Sequence, residues 1–142
     1  MPSLKTDPGR SALMKRVRRS GTAAEDAVAE VCRSLGLSYR RNARSLPGSP
    51  DLANKSKHWA IFVNGCYWHH HTGCRRATIP TRNHEFWVKK FEANRRRDAK
   101  KIIALRKLGY RVVLVWECQS VDARMVGSRL SNLREPRVVK NL

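Results

Sequence analysis

A short segment near the middle of the chain concentrates side chains that bind metals and transfer protons. It reads Asn64-Gly-Cys-Tyr-Trp-His-His-His-Thr-Gly-Cys74, and it follows an apolar run, Trp59-Ala-Ile-Phe-Val63, that predicts a buried strand. Reactive side chains on a loop at the end of a rigid element are the usual arrangement of an active site. We therefore expect the functional site of the protein at this position.

Cysteine and histidine spacing in this segment predicts a metal site. Cys66, His71 and Cys74 have the C-x4-H-x2-C spacing, and Cys118 follows at the end of a later predicted strand. Thiolate and imidazole ligands in fours form closed tetrahedral zinc sites, and metal binding of this kind contributes to folding. Spacing alone does not select His71 over its two histidine neighbours. Separate buried thiols that never meet are the alternative.

The histidine run also offers a general base. Neighbouring residues in an extended segment point to opposite sides, so one histidine can face a metal while another faces a substrate. His69 lies two residues before His71, and an imidazole with a pKa near neutrality can activate a water. A solvent-facing imidazole is the alternative interpretation of His69.

A carboxylate upstream could hold a catalytic metal. Pro50-Asp51 precedes an extended segment and has the form of the metal-binding half of the PD-(D/E)xK nuclease signature. A carboxylate at a strand end can hold Mg²⁺ against a phosphate. The second acid and the lysine of that signature are missing, because the matching strand reads Ile61-Phe-Val-Asn64.

Charge and composition restrict the class of protein. The chain has 142 residues, with 30 Lys+Arg against 11 Asp+Glu and a formal net charge of +19. Such an excess favours a polyanionic partner, most often nucleic acid, although ribosomal proteins and binders of anionic membranes share it. No apolar run is long enough to span a bilayer, and the N-terminus lacks the apolar core of a signal peptide. We therefore expect a cytoplasmic protein whose cysteines are metal ligands or buried thiols.

The elements that position these groups follow from hydrophobic periodicity. Residues 1–20 form a predicted basic arm, either a solvated tail or a DNA-contacting segment, and residues 21–142 form one predicted domain. Its predicted elements are a helix that opens with the capping box Thr22-Ala-Ala-Glu25 and closes at Gly36, strands at 37–41, 51–53 and 59–63, a loop at 65–82, a helix at 83–108, a buried parallel strand at 110–116 and a weaker helix at 121–133. The core candidates of the long helix are Ala99, Ile102, Ile103 and Leu105. This order predicts an α/β sandwich around one sheet.

Several blocks together closely resemble the very-short-patch mismatch repair endonucleases. They are Ser45–Asp51, Ile61–His71, Glu85–Trp87, Val115–Cys118, Arg10-Ser-x-x-Met14 and Thr22-x-x-Glu25, and they extend from about residue 10 to residue 118. The resemblance implies a central mixed β-sheet flanked by helices, with a PD-(D/E)xK nuclease-like core and a structural zinc site. It also implies a bacterial, nucleoid-associated nickase that cuts the strand carrying the T of a T:G mismatch left by deamination of 5-methylcytosine. We expect a monomer, with other repair proteins as further partners.

The resemblance assigns roles to individual residues. It makes Asp51 the principal Mg²⁺ ligand, with the backbone carbonyl of Val63 as a second, and His69 the general base. Glu25, Asn64 and Asp98 are placed around the catalytic centre, with the family often having histidine at position 64. The implied zinc ligands are Cys66, His71, Cys74 and Cys118. The implied DNA contacts are the aromatic residues Tyr67, Trp68 and Trp87, which wedge into the base stack. Where the basic arm is a DNA-contacting segment, we expect Arg10 and Lys15 to contact DNA as well.

Two other functions fit parts of the same pattern. One is a related nickase, restriction or defence nuclease with different recognition. The other is a non-catalytic zinc-containing protein that binds nucleic acid through charge and stacking. The pairing of Asp51 with His69 argues against the second of these, because binding alone needs neither residue.

Overall fold

The computed structural model of the protein describes residues 22–135. The predicted basic arm, with Arg10 and Lys15, lies outside the described residues. The described elements are α1 Ala23–Ser34, β1 Arg40–Arg41, β2 Leu52–Asn54, β3 Trp59–Asn64, α2 His84–Lys107, β4 Arg111–Trp116, α3 Ala123–Leu130 and a closing 3-10 helix, Ser131–Arg134. This is the predicted order, and the boundaries differ mainly at β1, where only two residues of the predicted strand at 37–41 pair.

The described strands form one mixed sheet in the order β1-β2-β3-β4. The first three strands are an antiparallel meander, with Leu52 opposite Ile61. Strand β4 runs parallel to β3, with Ile61 opposite Val113, and the long helix α2 makes the crossover between them. This connection brings the carboxyl ends of β3 and β4 to the same edge of the sheet.

Helices cover both faces of β3, so every residue of that strand is buried. Trp59, Ile61 and Val63 belong to a core cluster that also contains α1 and α3 side chains. Ala60 and Phe62 belong to a second cluster on the opposite face with Leu105 of α2. The alternation of side chains along a strand explains this division, and the three layers confirm the predicted α/β sandwich.

Two predictions about burial are wrong in detail. Strand β4 is half-buried except at Val115, because it is the outer strand of the described sheet rather than an internal one. On α2, Ile103 is 51% exposed and Ala99 is also exposed, although both were core candidates. The buried residues of α2 are Trp87, Phe91 and Leu105, since only one stripe of this highly charged helix meets the sheet and the central loop.

The N-terminus of α1 is fixed by the predicted capping box. The Glu25 amide donates to Thr22 Oγ1 at 3.2 Å, and the Thr22 amide donates to Glu25 Oε2 at 2.8 Å. Glu25 is only 4% exposed, so the cap also holds a carboxylate in the interior. Among the described residues, no helix is long and apolar enough to cross a membrane.

Candidate active site and metal cluster

Asp51 and Glu25 form a partly buried pair of acids. Asp51 directly precedes β2, and its Oδ2 accepts a hydrogen bond from the Val63 amide at 2.6 Å. Glu25 lies within hydrogen-bonding reach of it. Burial, and then the nearby Glu25 carboxylate, raise the pKa of Asp51 to about 7, while the Val63 amide and Lys101 act in the opposite direction. A deprotonated Asp51 is therefore costly without a cation.

The donor set at Asp51 fits a hard divalent cation. Carboxylate and carbonyl oxygens are the ligands that Mg²⁺ prefers, and Val63 places its backbone beside the Asp51 carboxylate. A bound cation would reverse the electrostatic penalty on the two acids. The structure thus brings together Asp51, Val63 and Glu25, three of the residues predicted for the catalytic centre.

His69 is oriented by an acid of α2. Its Nδ1 lies 2.5 Å from Asp98 Oδ2, and both side chains are largely buried. An Nδ1–H that donates to a carboxylate fixes the ring tautomer, so Nε2 is the nitrogen that can accept a proton. Asp98 also lies near a cation, since its Oδ1 is 3.8 Å from the Lys101 ammonium. The geometry is that of a base with an orienting acid.

Two neighbouring cavities, each of about 430 Å³, form a cleft over these groups. Both are lined by Val63, His69, Asp98 and Lys101. One extends beneath Tyr67 and Trp68, and the other contains Asp51 and Asn64. Asn64 is 5% exposed at the carboxyl end of β3 and lines the same cavity as Asp51.

The three consecutive histidines point in different directions because the loop turns. The His69 amide donates to the Gly65 carbonyl at 3.1 Å, the His71 amide donates to the Cys66 carbonyl at 2.9 Å, and His70 has a φ of +49°. His70 then stacks on Phe91, with ring centroids 4.6 Å apart. The prediction of an extended segment is therefore wrong. His71 nevertheless faces the cysteine cluster while His69 faces the cleft, so the two histidines are separated as expected.

Cys66, His71, Cys74 and Cys118 converge as predicted from their spacing. Their ligand atoms all lie within 4.8 Å of one another. The Nδ1 atom of His71 is 3.5 Å from Cys118 Sγ and 3.8 Å from Cys66 Sγ. Burial is the main cause that raises the pKa of Cys66 to about 12. The adjacent Cys74 and Cys118 side chains act in the same direction, and the Cys118 amide opposes them. A soft-ligand cluster of this kind fits Zn²⁺, whose charge would stabilise the thiolates.

The other cysteine is separate from this cluster. Cys32 is fully buried on the core face of α1, where burial raises its pKa to about 11. It is the core thiol that the helical pattern predicts, and the alternative in which the remaining thiols never meet is wrong.

An aromatic group borders the cleft on the loop side. Tyr67 makes edge-to-face contacts with Trp68 and Phe91, at centroid distances of 5.5 and 5.6 Å. Tyr67 and Trp68 are half-buried and line the cleft. Trp87 is 6% exposed and packs against Phe91 at 5.9 Å, so it supports this group from below.

The structure adds residues that anchor the loop and that motif spacing did not reveal. Asn94 donates to the Trp68 carbonyl at 3.2 Å, and Arg95 donates to the His70 carbonyl at 3.0 Å. Glu117 accepts from the Cys66 amide at 3.4 Å, and Trp116 stacks on His71 at 4.1 Å. The two α2 residues lie within one helical turn before Asp98, so helical spacing from that acid is the signal that could have identified them.

The described residues combine a mixed sheet that holds acids, a histidine–aspartate pair and a basic cleft beside a Cys₃His cluster. This combination defines a nuclease of the α/β class. The family model of DNA mismatch endonuclease Vsr matches residues 4–76. The chain belongs to the Vsr family of DNA endonucleases. It is therefore an endonuclease that acts on DNA, and family membership opposes the non-catalytic alternative.

Several named relatives align with most of the chain. A type II nicking enzyme of Xanthomonas oryzae, V.XorIIP, is 40% identical over 87% of this chain and 90% of its own length. The DNA mismatch endonuclease Vsr of Escherichia coli is 39% identical over 77% of this chain and 69% of its own length. A type II nicking enzyme of Neisseria meningitidis, V.NmeAIP, is 32% identical over 94% of both chains.

Proposed function

We propose that this endonuclease is a Mg²⁺-dependent nickase that cuts the thymine-carrying strand at T:G mismatches arising from 5-methylcytosine deamination. The observation that carries the proposal is one cleft lined by Asp51, the His69–Asp98 pair and the Tyr67–Trp68 aromatics. Acids and an oriented base serve hydrolysis, while aromatics at the rim serve recognition of a weakened base pair. The Escherichia coli relative is named a DNA mismatch endonuclease, and this supports a mismatch as the substrate.

Asp51 and the Val63 carbonyl would hold Mg²⁺, with Glu25 as the adjacent acid. When bound, Mg²⁺ would neutralise charge that builds on the phosphate during hydrolysis. The Val63 amide holds Asp51 Oδ2 at 2.6 Å, which keeps the carboxylate beside that carbonyl. Asn64 lines the same cavity and could donate a hydrogen bond to a phosphate oxygen.

His69 would accept the proton of the attacking water at Nε2. Asp98 holds Nδ1–H at 2.5 Å and stabilises the imidazolium that forms. The P–O bond on the side opposite the attacking water then breaks, and the departing oxygen takes a proton from a solvent water as it leaves. His69 releases the proton that it accepted to solvent in a later step. The absence of the signature lysine from the end of β3 is consistent with a histidine base.

Tyr67 and Trp68 would read the mismatch by insertion into the base stack. An apolar wedge unstacks a base step at a cost of a few kcal/mol, and the cost is lower where pairing is already weak. A T:G wobble would therefore be selected by its deformability as well as by its groove edges. Trp87 would support Tyr67 indirectly, because it is buried and contacts Phe91, which in turn contacts Tyr67.

The Cys₃His cluster would bind Zn²⁺ as a structural metal. Cys66, His71 and Cys74 lie on the loop that carries both the aromatic pair and His69, whereas Cys118 follows β4. A bound metal would therefore fix that loop relative to β3 and β4. The high net positive charge would supply the sequence-independent attraction to DNA phosphates. The predicted arm, with Arg10 and Lys15, would add to that attraction.

The test uses duplexes of one sequence that contain T:G, T:A or C:G at a single position, with each strand labelled separately. Mg²⁺ is omitted in the control rather than chelated, because a chelator would also remove zinc. We expect nicking of the thymine strand in the T:G duplex alone, and only with Mg²⁺. Equal nicking of matched duplexes, or nicking of the guanine strand, would contradict the proposed specificity.

A second candidate is a nickase that differs in recognition because it requires particular bases beside the site that it cuts. The names of the Xanthomonas and Neisseria relatives support it, because both are type II nicking enzymes. The same assay on T:G duplexes with varied flanking bases distinguishes the two. A strong dependence on the flanks favours a context-specific nickase, whereas a weak dependence favours general mismatch recognition.

A further inference from the structure

Lys101, on α2, is a cation at the cleft to which the proposed mechanism assigns no role. It lines both cavities together with Val63, His69 and Asp98. The other cations that line these two cavities, among the described residues, each border one of them: Arg44, Lys90 and Arg97. Lys101 therefore occupies the position where the acid side and the aromatic side of the cleft meet.

The Lys101 ammonium acts on two acids of the site. It lies 3.8 Å from Asp98 Oδ1, and its charge counteracts the effect of burial on Asp51. A partly exposed ion pair at this separation contributes little to stability. The contact with Asp98 is therefore weak enough for the ammonium to exchange it for a phosphate oxygen, and the side chain is 38% exposed toward solvent.

The turn that precedes Asp51 packs directly on the stem of Lys101. A Cβ atom at Gly48 would lie 2.6 Å from Lys101 Cγ and 2.7 Å from its Cβ and Cδ. These atoms belong to the root of the side chain and not to its mobile end. Gly48 also has a φ of +75°, which glycine adopts without strain. Only a residue without a side chain at position 48 lets the turn hold the lysine stem at the cleft.

We propose that Lys101 is a further catalytic residue, whose ammonium contacts a non-bridging oxygen of the phosphate that is cut. This inference rests on the proposed catalytic centre at Asp51 and His69. The transition state of phosphodiester hydrolysis carries more charge on these oxygens than the substrate does, so a fixed cation beside them lowers the barrier. The Gly48 contact fixes the stem in advance, and that fixing is what a catalytic cation requires.

The test compares Lys101→Met and Lys101→Arg with wild type in single-turnover nicking of the T:G duplex at saturating DNA and Mg²⁺. Loss of one charge-stabilising donor predicts a rate about 10- to 100-fold lower for Lys101→Met. Lys101→Arg retains the cation, so its rate should stay within about ten-fold of wild type. The matched control is Lys100→Met, which removes the same charge from the exposed neighbouring residue. It should change the rate by no more than about two-fold.

The Mg²⁺ dependence separates phosphate contact from an indirect effect on the metal ligands. A positive charge near Asp51 opposes cation binding, so Lys101→Met should reach half-maximal rate at the same or a lower Mg²⁺ concentration. A rate that returns to the wild-type value when Mg²⁺ is raised would overturn the proposal, as would an unchanged rate. Thermal unfolding checks folding, and Lys101→Gln replaces Lys101→Met if the latter does not fold, with the same expected loss.

This experiment distinguishes failure of the proposed nickase function from failure of the role proposed for Lys101. Wild-type protein that cuts no duplex in Mg²⁺ would refute the proposed function. Wild-type protein that nicks the T:G duplex, accompanied by Lys101→Met at an equal rate, would refute the role of Lys101 alone.

Discussion

Replacing Asp51 by asparagine is expected to stabilise the Mg²⁺-free protein at neutral and alkaline pH while it abolishes nicking. Burial and the Glu25 carboxylate raise the pKa of Asp51 from 3.8 to about 7, so the ionised carboxylate opposes folding. Asparagine has nearly the same shape and retains an oxygen for the Val63 amide. The substitution therefore removes the charge with little change in packing.

The pKa difference gives both the sign and the size of the effect. Between about pH 4 and about pH 7 the folded state binds more protons at Asp51 than the unfolded state, so the stability of wild type falls as pH rises through this interval. Above the folded pKa the full penalty is present, at most about 4 kcal/mol. Relaxation around the site would reduce it, and we expect about 1–4 kcal/mol in favour of Asp51→Asn.

Thermal unfolding of both proteins across this pH range measures the difference. For a chain of 142 residues, 1 kcal/mol corresponds to about 3 °C in Tm. Asp51→Asn should thus melt about 3–12 °C above wild type near pH 8, and the gap should shrink toward pH 4. Other titrating groups are present in both proteins and largely cancel. Adding Mg²⁺ should raise the Tm of wild type more than that of the variant.

Two results would refute this reasoning. One is a lower Tm for Asp51→Asn than for wild type at alkaline pH without Mg²⁺. The other is a Tm difference that does not change with pH, since a packing effect would have no reason to follow the ionisation of Asp51. A matched control is Asp26→Asn in the first turn of α1, where the carboxylate is exposed and pairs with Arg41 at 2.7 Å. It should not stabilise the protein at any pH in this interval.

Three further substitutions test the rest of the account. Cys118→Ser should lower the zinc content and the Tm, because one of four ligands is lost. Cys32→Ala should lower the Tm through a core cavity and leave zinc bound. Equal zinc contents of the two variants, measured by metal analysis, would contradict a zinc site at this cluster. Trp68→Ala should reduce nicking of T:G duplexes by about 10- to 100-fold with a much smaller change in non-specific affinity at fixed salt, and an unchanged T:G preference would remove Trp68 from recognition. Gly48→Ala should destabilise the protein by about 1–3 kcal/mol. Gly36→Ala is the control and should destabilise it less, because Gly36 has a similar φ of +74° but no atom within 4 Å of an added Cβ. Equal Tm losses would mean that the Lys101 side chain moves away from the new Cβ without cost.

Local signals in the sequence were sufficient for most of the fold. The Thr22–Glu25 capping box, the helix-closing Gly36 and the apolar run at Trp59–Val63 identified their elements to within a few residues. What they could not give was the position of β4 at the outer edge of the described sheet, because strand order depends on pairing between distant segments. A strand of apolar residues looks the same at the edge as in the centre, and hence β4 was expected to be fully buried.

The candidate site divides in a similar way. The Cys₃His set was predictable because ligand number and spacing restrict the possibilities, although spacing could not choose among three histidines. The turn that begins at Gly65 makes that choice, through the hydrogen bond from the His71 amide to the Cys66 carbonyl. Lys101 was not predictable from a motif, since its place in the cleft depends on the packing of a turn against α2, 53 residues apart in sequence from Gly48 to Lys101.

The most direct test of the central claim is the single-turnover nicking rate of Asp51→Ala on the T:G duplex, measured together with its affinity for the same DNA. The matched control is Asp26→Ala, which removes the same charge from an exposed position of α1. If hydrolysis takes place in the cleft at Asp51, Asp51→Ala should bind the duplex as well as wild type, because lysine and arginine dominate that attraction, and should not cut it. Asp26→Ala should bind and cut as wild type does. Undiminished nicking by folded Asp51→Ala would contradict the account and place the chemistry elsewhere in the molecule.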